Sequence, residues 1–104
     1  MANTSPHWEP LSSKVSVLVS STHRFNTDTV LLAWFSAPKR GEICADFGTG
    51  CGAIPLIWCV KAQSGEGFMP EKIYGVEIQS DACELASQSV ERNQLKDTIC
   101  IVHH

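Results

Sequence analysis

Two rhythms of apolar residues run along the chain. Val15, Val17 and Val19 alternate with Ser16, Leu18 and Ser20, which predicts a short strand or hairpin arm. Before it, residues 1–13 carry two prolines among scattered Ser, Thr and Asn and read as a loose arm. After a turn at residues 23–26, Thr27 or Asp28 can cap a helix that runs through Val30, Leu31, Leu32, Ala33, Trp34 and Phe35 until Pro38 stops it. Residues 42–47 form a first apolar strand. A helix follows over about 52–62, with Pro55 tolerated in its first turn. Residues 64–70 hold two glycines and a proline and are a loop, and 72–78 are a second buried strand. Asp81 with Glu84 resembles a capping box, and Ala82, Leu85, Ala86 and Val90 keep helical spacing to about 93–95. Residues 98–102 begin a third strand. Two β-α units and a further strand predict the α/β class with a parallel sheet.

Size narrows the architecture further. A chain of 104 residues allows one small domain and no separate substrate domain. Hydrophobic content of 43%, charge of 18% and net charge of −3 fit a globular chain rather than a disordered one. No apolar run approaches the roughly 20 residues of a membrane span, and the first residues lack the pattern of a signal peptide. The expectation is a cytoplasmic protein with no membrane partner. Five cysteines, an odd number without a Cys-x-x-Cys pair, read as free thiols, with Cys44, Cys59 and Cys83 at apolar positions and packed as small hydrophobes rather than bound to a metal. Cys51 alone lies in a loop open to modification. Lys14, Arg24, Lys39 and Arg40 fall in the first forty positions, too small a basic footprint to read as a nucleic-acid surface.

The chemistry concentrates in residues 43–52, Ile-Cys-Ala-Asp-Phe-Gly-Thr-Gly-Cys-Gly, a strand running into a glycine-rich turn that opens a helix. Gly48, Gly50 and Gly52 let the backbone approach a ligand closely, as nucleotide cofactors require. Asp46 selects among them: a carboxylate there repels a pyrophosphate but welcomes a cationic ligand such as S-adenosylmethionine (SAM). Glu77, at the end of the next strand, can accept hydrogen bonds from both hydroxyls of a ribose. Gly48, Gly50 and Ala53 also satisfy the relaxed dinucleotide fingerprint, so a nicotinamide- or flavin-dependent oxidoreductase stays open, as does a non-catalytic binding module. His23 is a lone loop histidine, expected in solvent.

These motifs resemble those of a known family. The run Phe25-Asn26-Thr27-Asp28-Thr29-Val30-Leu31-Leu32-Ala33-Trp34 is similar to the lead-in of class I SAM-dependent methyltransferases of the small-domain type, notably those that methylate adenine N6 of valine tRNA. Asp46-Phe47-Gly48-Thr49-Gly50-Cys51-Gly52 resembles their Asp-x-Gly-x-Gly-x-Gly motif, and Gly75-Val76-Glu77-Ile78-Gln79 their acidic second-strand motif. The resemblance covers residues 14–102. It implies a Rossmann-like SAM-dependent methyltransferase fold, here a truncated parallel sheet behind an N-terminal strand and helix lead-in. The lead-in would be residues 1–40 and the SAM-binding β-α-β-α-β part 41–104, together one incomplete domain. Asp46, Gly48, Thr49, Gly50 and Gly52 would then wall the cofactor, Glu77 would hold its ribose, and Thr27 and Asp28 would line its methionine end. Asn26 stands where the family has glycine, a small departure because asparagine tolerates positive φ.

The family's adenine-orienting acid after strand three and its Asn-Pro-Pro-Tyr motif after strand four are not found in residues 1–104. No catalytic residue is therefore assigned. The expectation is the N-terminal part of an enzyme whose full-length form methylates adenine N6 of tRNA, with rRNA, a protein glutamine or a small molecule as alternative substrates. The strand at 42–47 would be an unpaired apolar edge through which the isolated chain self-associates.

Overall fold

A computed structural model describes residues 5–104. The elements are β1 (His7–Pro10), β2 (Ser16–Val19), α1 (Thr27–Phe35), β3 (Ile43–Phe47), α2 (Ala53–Gln63), β4 (Lys72–Glu77), α3 (Ser80–Arg92) and β5 (Ile99–His103). β3, β4 and β5 form a parallel sheet in that order, with Ile43 opposite Lys72 and Ile73 opposite Ile99. The α/β class and the parallel sheet read from the sequence are what the chain adopts.

The N-terminal arm differs from expectation. Residues 1–4 of the predicted loose arm lie outside the described residues, but His7–Pro10 pair antiparallel with Ser16–Val19. Leu11 and Ser12 donate to the Val15 carbonyl (2.8 and 3.1 Å) and close the turn. Tertiary contacts outweigh the prolines here. The Leu18 amide donates to the Ser89 hydroxyl at 2.8 Å, and Asn93 brackets Ser16 by accepting from its amide and donating to its carbonyl. Side chains of α3 thus satisfy backbone groups of β2 that have no strand beside them. The Arg92 guanidinium over the Trp8 ring, 4.4 Å from its centroid, fixes β1 to the same helix.

Helix starts also depart from the sequence reading. Asn26, not Thr27 or Asp28, caps α1: its side chain accepts from the Thr29 amide, and the Thr29 hydroxyl accepts from the Asn26 amide. Its φ of −134° is extended, so asparagine serves here as a cap and not as a stand-in for glycine. Asp81 does not cap α3, which begins one residue earlier after Gln79. The Asp81 carboxylate instead accepts from the Ala82 amide and reaches His23. Gly52 caps α2 at φ +85°, and a Cβ on it would stand 3.2 Å from Ala86 Cβ. Glycine there lets the start of α2 press against α3.

The core is built on one face of the sheet. Ile73 and Ile99 join Leu56, Leu85, Val90, Val17 and Val19, all buried. α1 leans on α2, where Trp58 Nε1 donates to the Ala33 carbonyl (3.0 Å) and Lys61 Nζ to the Trp34 carbonyl (2.8 Å), closing the end of α1. All five cysteines are free; Cys51, Cys59 and Cys83 are buried. Burial of Cys51 corrects the expectation that it is open to modification, and desolvation raises its thiol pKa further from reactivity. No helix among the described residues is long and apolar enough to cross a membrane.

Candidate functional site

The site assembles where β3 and β4 end. Parallel pairing sets Asp46 opposite Gly75 and Phe47 opposite Val76, so both strands deliver their last residues to the same end of the sheet. The turn after β3 is held there by Gly48 and Thr49, whose amides donate to the Val76 carbonyl at 2.8 and 3.0 Å. Gly48 and Gly50 take φ of +74° and +58°, and nothing lies within 4 Å of where a Cβ would stand on either. The turn therefore adopts a conformation that favours glycine and leaves the space above it open. Gly75 is needed for packing: a Cβ there would come within 3.1 Å of the Thr49 side chain and 3.0 Å of Ile101.

Glu77 is 7% exposed and holds the turn from the second strand. One carboxylate oxygen accepts from the Gly50 amide at 2.9 Å, the other from the Gln79 amide at 2.9 Å. The Gln79 amide is the main cause that lowers its pKa; burial opposes this, and the Gly50 amide and the His23 charge add to it. Each oxygen keeps a further lone pair for another donor.

Asp46 lies in the opposite situation. Its Oδ2 and the Thr49 Oγ1 are buried and make no hydrogen bond within the described structure. Burial is the main cause that raises the Asp46 pKa; the Thr49 hydroxyl, close by but outside hydrogen-bonding geometry, lowers it, and the Glu77 charge raises it again. A buried carboxylate oxygen left without a partner is costly, and a cationic or hydrogen-bond-donating ligand beside it relieves that cost.

A cleft of about 250 Å³ opens over the turn. Gly48, Thr49, Gly50, Cys51, Ala53 and Ile54 form one wall, and Thr22, His23, Arg24, Phe25 and Thr29 the other. Of the residues singled out from sequence, Asp46, Gly48, Thr49, Gly50, Gly52 and Glu77 come together at the strand ends. Thr27 and Asp28 lie in the exposed first turn of α1, and Thr29, not they, lines the cleft. Arg24, Phe25 and Thr29 escaped the sequence reading, although the Asn26–Thr29 spacing that orients this segment is a capping signal. His23, expected in solvent, is largely enclosed and pairs with Asp81 at 3.0 Å. No group of three or more His, Cys, Asp or Glu among the described residues is arranged to hold a metal ion.

No protein-family model matches the chain. Over 81 residues, 78% of its length, it is 32% identical to the tRNA1(Val) (adenine(37)-N6)-methyltransferase of Proteus mirabilis (strain HI4320), a match that takes in 30% of that protein. Among solved structures it is similar to P. horikoshii TYW2 in complex with MeSAdo, with a TM-score of 0.68 at 14% identity over 99% of this chain and 36% of that one. It is also similar to M. capricolum TrmK in complex with S-adenosyl-homocysteine (SAH), with a TM-score of 0.58 at 17% identity over 79% and 33% of the two chains. The chain spans about a third of the length of the relatives it matches. Over the stretch that it spans, the chain carries the Rossmann-like fold of the class I SAM-dependent methyltransferases, and its sequence is similar to one of them.

Proposed function

We propose that this chain is the cofactor-holding part of a SAM-dependent methyltransferase, and that the whole enzyme methylates adenine N6 in tRNA. The observation that carries the cofactor assignment is the buried, unpartnered Asp46 oxygen beside an open glycine turn. SAM offers an ammonium and a sulfonium to that carboxylate and ribose hydroxyls to Glu77, whereas a pyrophosphate would meet two like charges. Asp46, Gly48, Thr49, Gly50, Gly52 and Glu77 would hold the cofactor, with Thr27 and Asp28 on its rim just before Thr29. When bound, SAM supplies an electrophilic methyl group. The residues of this chain bind and orient it, and none is assigned a catalytic role.

The tRNA substrate rests on the likeness to the Proteus protein and brings with it a cytoplasmic location. Isothermal titration tests the cofactor assignment without a known substrate. SAH is expected to bind and NAD is not; NAD binding in preference to SAH would overturn the assignment. Methylation of tRNA is tested separately, by supplying the complete reading frame with transcribed valine tRNA and mapping the modified base.

A further inference from the structure

We infer that Arg24 recognises the carboxylate of the cofactor's amino-acid moiety and thereby fixes which way round the cofactor lies. The inference rests on the cofactor reading above and adds a residue to it. The methionine end of SAM carries an ammonium and a carboxylate on one carbon, so a site that orients it needs a cationic partner as well as an anionic one. Asp46 and Glu77 supply only negative charge at the strand ends.

Arg24 is the arginine that lines the cleft, on the wall facing the glycine turn. It is also uncommitted. Among the described residues it has no hydrogen bond, ion pair or ring contact, whereas Arg40 lies 4.8 Å from the Phe68 centroid and Arg92 lies over Trp8. A planar guanidinium can grip a carboxylate through two parallel N–H bonds. The opposite wall adds to the same polarity. Ala53 and Ile54 begin α2, whose cap residue Gly52 has no side chain to answer its free amides, so the positive end of the helix faces the same cleft.

The backbone that carries Arg24 is anchored on both sides. The Ser20 amide donates to the His23 carbonyl at 3.0 Å and the His23 amide to the Ser20 hydroxyl at 3.1 Å, while the His23 ring is tied to Asp81 on α3. On the other side Phe25 packs against the core and Asn26 caps α1. The loop is thus fixed before a ligand arrives, which reduces the ordering cost of using a long side chain for recognition. The arrangement also gives a role to the His23–Asp81 pair, which joins the cleft wall to the helix that follows Glu77.

The test pairs a residue change with a ligand change. SAH carries the carboxylate; 5′-methylthioadenosine has the same nucleoside and thioether without it. Arg24→Ala is expected to weaken SAH binding about ten- to one-hundred-fold, the range for losing a charge-assisted hydrogen-bonded partner, and to leave methylthioadenosine binding within about two-fold. Arg24→Lys should recover part of the SAH affinity, since it keeps the charge and loses the fork. Because Arg24 is exposed, both variants should keep the parent's unfolding midpoint. An unchanged SAH affinity in Arg24→Ala, or an equal loss for both ligands, would overturn the inference while leaving the cofactor reading in place. Wild-type protein that binds neither ligand would overturn both.

Discussion

The two faces of the three-stranded sheet are made from the same strands and have opposite fates. On one face Cys44, Asp46, Ile73, Gly75, Glu77, Ile99 and Ile101 point toward the helices, and the β4 and β5 residues among them are mostly buried. On the other, Ile43, Ala45, Phe47, Tyr74, Val76, Cys100 and Val102 have no layer over them among the described residues, and Ile43 and Phe47 are 66% and 81% exposed. Parallel sheets are ordinarily covered on both sides, because their crossovers lay helices on the faces. All three helices here leave the second face bare. The proposed cofactor site belongs to the covered side: Asp46 and Glu77 sit at its end, and the Gly50 and Gln79 amides hold Glu77 there. This division shows how the described residues hold the glycine turn and the acidic pair together at the end of one covered face while the other face stays bare.

The sharpest way to break the comparison is to remove the same side chain from each face. Ile73→Ala, in the core at 0% exposure, should destabilise the chain by about 2–5 kcal/mol through lost burial and a residual cavity. Ile43→Ala, on the neighbouring strand but on the bare face, should change stability by less than about 0.5 kcal/mol. Urea unfolding followed by circular dichroism measures both. Equal losses would mean that the second face is covered in solution.

Within the covered face, the two acids should respond to pH with opposite signs. Glu77 has a lowered pKa, so its stabilisation is complete above the usual glutamate range and is lost as pH falls through the lowered value. Asp46 has a raised pKa, so the folded state loses stability as pH rises from the usual aspartate value through the raised one. Glu77→Gln should therefore flatten the acid limb of the stability profile. It should also cost about 1–3 kcal/mol at neutral pH, since one of the two backbone amides would then face an NH₂ group. Asp46→Asn should do the reverse and stabilise the unliganded chain slightly at neutral pH, while weakening SAH. Thermal melts from pH 3 to 8 decide between these signs; destabilisation in both variants at pH 7 would contradict the account of Asp46.

Much of this was legible in the residues. The glycine turn and the acid after it were readable because each carries a backbone or charge requirement that few other sequences satisfy. The strands at 42–47 and 72–78 were readable from short apolar runs between turn signals. What escaped depended on partners distant in sequence. β1 exists because Arg92 takes Trp8 and because Ser89 and Asn93 satisfy the edge of β2, and no local pattern in residues 7–10 announces it. Asn26 lost its capping role to Thr27 and Asp28 on paper because all three are good caps, and only the reciprocal bond with Thr29 separates them. His23 seemed a solvent residue for the same reason: Asp81, its partner, lies 58 positions away. The cleft wall formed by residues 22–25 followed from that pairing.

The smallest expected effect on stability, and the most direct probe of the bare face, is Phe47→Asp. Among the described residues β3 pairs with β4 alone, so one row of its amides and carbonyls has no partner strand beside exposed Ile43 and Phe47. An apolar edge of this kind is a template for further pairing, and a charge placed on it blocks that pairing. We expect the isolated chain to self-associate with rising concentration in sedimentation velocity, and Phe47→Asp to remain monomeric over the same range. Because Phe47 is largely in solvent, the variant should unfold at the same urea midpoint as the parent. Only the association should change. A wild-type chain that stays monomeric at every concentration would show that the bare face is tolerated in water; an association that survives in Phe47→Asp would locate the contact elsewhere, with α1 and its exposed Leu32 and Phe35 the next surface to test.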